Sequence, residues 1–127
     1  MREKLLYEYA VIRLVPRVER EEFLNVGVVL FCKETAFLQT LYHIDEEKLK
    51  AFGCETDREQ LKENLASFDK ISRGCEDGGP IARLDLPSRF RWLTAVRSSV
   101  IQTSRPHPGF SSDPEETLQK LFRELVL

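Results

Sequence analysis

The chain is poor in the residues that most often carry chemistry: three cysteines, two histidines, one tryptophan and one methionine in 127 residues. Cys32, Cys54 and Cys75 cannot all pair and form no CxxC unit, so a disulfide framework is not expected. They read as reduced thiols of a cytoplasmic protein. Zinc needs three or four ligands, usually in closely spaced pairs. Cys54 and Cys75 stand isolated and His43 has no partner histidine, so no metal and no cofactor is expected. No apolar run approaches the roughly 18 residues of a membrane span; the longest, Val26 to Cys32, is strand-sized. The opening MREKLLYEYAVIRL lacks a small-residue cleavage site, and Glu8 and Arg13 interrupt its apolar part, so it does not read as a secretory leader. GxSxG, GxxxxGK[ST], GxGxxG and HExxH are all missing, which weighs against the common hydrolase, nucleotide-binding and metalloprotease chemistries.

What is present describes an ordinary globular chain, 42% hydrophobic and 31% charged. Its length suits one domain, residues 1–127, with one real core. The net charge of −2 conceals an asymmetry. Residues 45–77 hold ten acids against six bases, while residues 81–110 hold Arg83, Arg89, Arg91, Arg97 and Arg105 against Asp85 alone. The basic stretch either pairs with the acidic one inside the fold or raises the local affinity for anions.

Three strand signals come in series. YEYAVIRLVP (Tyr7 to Pro16) is rich in β-branched and aromatic residues. NVGVVLFC (Asn25 to Cys32) is almost continuously apolar, as expected of a strand covered on both faces or central in its sheet. Gly27 inside it marks close backbone approach or a bulge. AFLQTLYHI (Ala36 to Ile44) follows a link short enough for an antiparallel hairpin.

Helix signals follow. A capping box from Thr56 to Glu59 opens a helix over 57–73 that closes at Gly74. Asp113, Pro114 and Glu115-Glu116 open another over 114–126. The acids Asp45, Glu46 and Glu47 suit the first turn of a short helix ending near Gly53. A helix from about Pro87 to Arg97 turns Phe90, Leu93 and Val96 inward, and Val100 to Ser104 is a candidate fourth strand. Strands first and helices after predict an α+β fold: a three- or four-stranded, mainly antiparallel sheet with the helices packed on one face.

Four residues stand out as candidates for function. Arg13 shares a strand face with Tyr7, Tyr9, Val11 and Val15, where it can stack on an aromatic ring and present donors to an anion; its bland role is to cover that face with its stem. His107 is held between Pro106 and Pro108, as suits a proton donor, a phosphate contact or a plain turn residue. Arg97 and Arg105 flank a hydroxyl cluster of the kind that contacts phosphates. The expectation is that Arg13, Arg97, Arg105 and His107 converge at one sheet edge as a weak anion site. The competing expectation is a structural rim, with Arg97 tied to an acid of the 57–73 helix.

YEYAVIRLVPRVEREEFLNVGVVLFC, with GGPI, RFRWLTAVRSSVIQTS, HPG and DP, resembles an uncharacterised bacterial domain family over about Tyr7 to Val126. The resemblance marks Tyr9, Arg13, Pro16, Asn25, Gly27, Arg89, Trp92, Arg97, Ser98, Gln102 and His107. It implies a bacterial regulatory or stress setting, with a HipA-like kinase encoded beside it as a candidate partner, and it supplies no activity. The function expected is therefore a non-catalytic binding or regulatory module recognising a protein partner or an anionic ligand, nucleic acid or phosphate. The alternative is a small hydrolase or nuclease-like enzyme using Arg13, His107 and a carboxylate. The apolar stripe of the last helix leaves homodimerisation open as well.

Overall fold

In LLYEYAVIRL, alternate side chains divide between two environments, as the two-residue period of a strand requires. Ala10, Ile12 and Leu14 enter one core; Tyr7 and Tyr9 pack against a second on the opposite face. The computed structural model describes residues 3–95 and 100–127. Strand β1 (Leu5–Leu14) pairs antiparallel with β2 (Leu24–Cys32), and β2 with β3 (Phe37–Tyr42). The meander expected from the short links is what forms.

Four helices follow among the described residues: α1 (Glu46–Ala51), α2 (Arg58–Arg73), α3 (Leu86–Leu93) and, at the end, α4 (Pro114–Leu125). Asp57 rather than Thr56 caps α2, its carboxylate accepting the Glu59 N–H at 2.9 Å. Gly74 closes it in the left-handed region at φ 68°, a conformation glycine adopts without Cβ penalty. Asp85 caps α3, and the Thr94 hydroxyl donates to the Phe90 carbonyl where that helix ends. The expected extension of α3 to Arg97 reaches residues 96–99, outside the described residues. No helix among the described residues is long and apolar enough to cross a membrane.

The fold is α+β with a mainly antiparallel sheet, and it differs from expectation in two respects. First, among the described residues the sheet has five strands. Both β4 (Ile101–Thr103) and β5 (His107–Ser111) run antiparallel along the free side of β1, opposite Ile12–Leu14 and Leu5–Tyr9 respectively. Pro106 and Pro108 are tolerated because this is an edge, where missing N–H donors break no inner ladder.

Second, the helices do not share one face. Leu61, Leu65, Phe68 and Ile71 of α2 join Phe90 of α3 over Ala10, Ile12, Leu14, Val29, Phe31 and Leu38, with Phe90 stacked on Phe31 at 5.1 Å. Leu118 and Val126, with Leu121, Phe122 and Leu125, cover Val28 and Leu30 from the other side. The reason lies in β2, buried from Val26 through Cys32: a strand apolar on both faces must be covered on both.

Two bulges shape β1's surroundings. Ile12 faces Gly27 and Arg13 faces Asn25, so Val26 is the extra residue. A Cβ at Gly27 would lie 2.7 Å from the Leu41 carbonyl oxygen, which is the close approach its position suggested. On the other side, three steps along β1 (Ile12 to Tyr9) match four along the edge (Thr103 to His107). Ser104 manages that irregularity: its hydroxyl accepts the Val11 N–H at 2.8 Å in place of a backbone carbonyl.

Candidate functional site

Helix α4 packs mainly over β2 and β3, so the sheet face around β1 and β5 keeps part of its surface open, with Tyr7 and Tyr9 half-buried and His107 exposed. Along this strip the strand period places Tyr7, Tyr9, Val11 and Arg13 about 6.7 Å apart. The Tyr7 ring crosses Gly109, where an added Cβ would lie 2.5 Å from Tyr7 Oη. Tyr7 and Tyr9 are 6.3 Å apart between ring centroids, and Tyr9 and His107 are 5.3 Å apart, tilted by 38°. Cross-strand pairing sets these contacts, since Tyr9 faces His107 and Tyr7 faces Gly109. Burial pushes the Tyr7 hydroxyl pKa up, and the neighbouring Tyr9 adds to the effect.

At the other end of the strip, Arg13 sits between Asn25 on β2 and Gln102 on β4. Its guanidinium carbon lies 4.0 Å from the centre of the Phe23 ring, a cation–π geometry. Asn25 Nδ2 donates to the Leu125 carbonyl at 3.1 Å, tying the strip to the last turn of α4. Arg13 Nε and Asn25 Oδ1 are buried and without a hydrogen-bond partner.

Of the four candidate residues, Arg13 and His107 share this face. Arg13 is four steps along β1 from Tyr9, about 13 Å, and the Arg13 head rests on Phe23, next to the start of β2. They therefore mark two ends of a strip, not one point. Arg105 is exposed in the bulge between β4 and β5. Arg97 lies outside the described residues, as does Ser98. Of the other positions marked by the resemblance, Tyr9, Asn25 and Gln102 also belong to this strip.

Several other candidates have structural roles. Arg89 Nη1 donates to the carbonyls of Ile71 and Ser72, both at 3.1 Å, closing the end of α2. Arg91 donates to the Ser88 hydroxyl. Four acids of 45–77 pair with bases of their own segment: Glu46 with Arg58, Glu59 with Lys62, Asp69 with Arg73 and Asp77 with Lys70. Lys70 holds the Asp77 carboxyl below the usual carboxylate range. Asp45 caps α1, accepting the Glu47 and Lys48 N–H groups. His43 is exposed at the end of β3, and its backbone N–H donates to the Val26 carbonyl.

Phe23 and Ser104 carry no distinct signal in the sequence. Phe23 lies in the link before the strand expected from Asn25, and only the pairing around the bulge at Val26 sets which residues flank Arg13. Ser104 looks like one of several serines, and only the register gives its hydroxyl a backbone partner. Among the described residues, no group of three histidines, cysteines or acids is placed to hold a metal ion. Chemically, the strip offers stacking surfaces at one end and guanidinium donors at the other.

No curated protein and no solved structure matches this chain. Residues 9–126, from Tyr9 of the aromatic strip to Val126 at the close of α4, match the family described as protein of unknown function DUF3037, and the chain belongs to that family.

Proposed function

We propose that this chain is a non-catalytic binding module that takes an anionic ligand on the open strip of its sheet, within a bacterial, cytoplasmic regulatory system. The observation that carries this reading is the strip itself: Tyr7, Tyr9 and His107 in a row, with Arg13 beyond them and Arg105 exposed at the bulge. The arginines of the basic stretch divide between two uses. Arg89 is committed to α2 and Arg91 to Ser88, whereas Arg105 is exposed, which supports its use for a ligand. An open face between a helix and an edge strand suits binding better than turnover, which asks for a site that excludes water. A hydrolase would also need a carboxylate beside His107. Glu8, next to Tyr9 along β1, alternates onto the opposite face, and the ring His107 meets is Tyr9.

The co-encoded kinase implied by the resemblance, and a second copy of the chain, belong to the same proposal as protein partners of this module. The direct test is titration with a phosphate-bearing probe, inorganic polyphosphate or a short oligonucleotide, at low salt. Binding that weakens as salt rises and is reduced by Arg105→Ala supports the reading. Absence of binding to either probe overturns it.

A further inference from the structure

We infer that the ligand of this strip is a single-stranded nucleic acid, whose bases stack on Tyr9 and His107 while Arg13 and Arg105 hold its phosphates. The inference deepens the binding-module reading and rests on it. An anion site for phosphate alone needs guanidinium groups and N–H donors and has no use for aromatic rings. Here a run of rings, Tyr7 to Tyr9 at 6.3 Å and Tyr9 to His107 at 5.3 Å, lies on a sheet face beside an edge strand, with the imidazole exposed. Ring surfaces on an antiparallel sheet are how several single-strand binders present stacking platforms, and every base has a face to offer them.

The rings are also held in place. Tyr7 lies across Gly109, the residue whose missing side chain makes room for it. His107 is set by its pairing with Tyr9 and by the prolines on either side. A platform whose rings are already ordered loses little freedom on binding. The phosphate contacts follow from the same strands. Arg13 stands about 13 Å beyond Tyr9 on the same face, within the span of a few nucleotides, and Arg105 is two residues before His107. A duplex fits poorly, because its bases present only edges to the grooves. The unpaired strand, RNA or DNA, is the form whose base faces are free.

The experiment compares four probes on the full chain at equal phosphate concentration: an unpaired oligonucleotide, its duplex, an abasic oligonucleotide and inorganic polyphosphate. The expected result is preference for the unpaired strand, with RNA and DNA arms separating the two sugars. His107→Ala and Tyr9→Leu should each weaken unpaired-strand binding about tenfold, as expected for loss of one stacked base. His107 is exposed, so its variant tests the idea even where Tyr9→Leu disturbs folding. Arg105→Ala should lower the log–log salt slope by about 0.7, one phosphate contact on a single strand. Equal binding of all four probes, unmoved by His107→Ala, overturns the nucleic-acid assignment and leaves an anion module. Absence of binding to any probe overturns both.

Discussion

Val11 and Ser104 exchange two hydrogen bonds, one of them through a side chain: the Val11 N–H donates to Ser104 Oγ and the Ser104 N–H donates to the Val11 carbonyl, both at 2.8 Å. The pair bridges the point where the edge changes register between β4 and β5. Ser104→Ala leaves a buried amide without an acceptor, which costs about 1–3 kcal/mol. Urea unfolding should show that loss, and the His107 ring signals should shift in NMR spectra as β5 loosens from β1. An unchanged midpoint would mean that water or another acceptor replaces the hydroxyl.

Gly27→Ala should be more damaging than its size suggests. The new methyl would lie 2.7 Å from a backbone oxygen, Leu41 O, with Ile12 and Tyr42 each 3.1 Å away. Backbone in the middle of a sheet cannot step aside, so a loss of about 1–3 kcal/mol is expected. Denaturant midpoints of the two proteins measure it directly.

Gly109→Ala makes the opposite case. There the clash is with the Tyr7 ring, its Oη, Cζ and Cε1 between 2.5 and 2.9 Å from the added carbon. A side chain can swing away, so the phenol should move outward into water. Burial is the main cause of the raised Tyr7 pKa, so ultraviolet titration should find that value falling toward the ordinary tyrosine range. A Tyr7 hydroxyl that titrates as in the parent protein would show that the ring has not moved.

Arg89 and Arg105 should separate stability from binding. Arg89→Ala removes two charge-assisted hydrogen bonds at the end of α2, interactions typically worth about 1.5–3 kcal/mol each, and should lower the unfolding midpoint while oligonucleotide affinity holds. Arg105→Ala should do the reverse. Parallel thermal melts and binding titrations compare the two, and equal effects of both substitutions on affinity would defeat the distinction.

Acid should weaken the fold partly through Asp85. The Ser88 hydroxyl and N–H hold its carboxyl below the usual carboxylate range. A lowered native pKa means that its stabilisation is present above the unfolded value, near 4, and is lost as pH falls through the lowered one. Asp85→Asn keeps a capping acceptor and removes the titration, so urea midpoints measured from about pH 5 down to about pH 2 should fall less steeply in this variant.

Elements whose signals are local are legible in the chain itself. Asp113 and Pro114 open α4, Gly74 closes α2, and the odd–even division of β1 puts Arg13 on the same face as Tyr7 and Tyr9, because caps and side-chain periods act within a few residues. The α+β class follows from the order of those elements. Which face α4 takes does not, since a single apolar stripe docks equally well on either side of a sheet. The doubly apolar β2 carries that information, and it takes effect only with α2 occupying the opposite face. Register is equally out of reach: the bulges at Val26 and beside Ser104 are settled by contacts between residues distant in sequence. They decide that Arg13 lies over Phe23, that Tyr9 meets His107, and that the basic stretch divides between Arg89, tied to α2, and an exposed Arg105. Sequence alone determined the elements with local signals and which of their side chains are apolar; tertiary packing decided the fifth strand, the face each helix takes and which side chains meet, because those depend on interstrand pairing and on competition for a limited apolar surface.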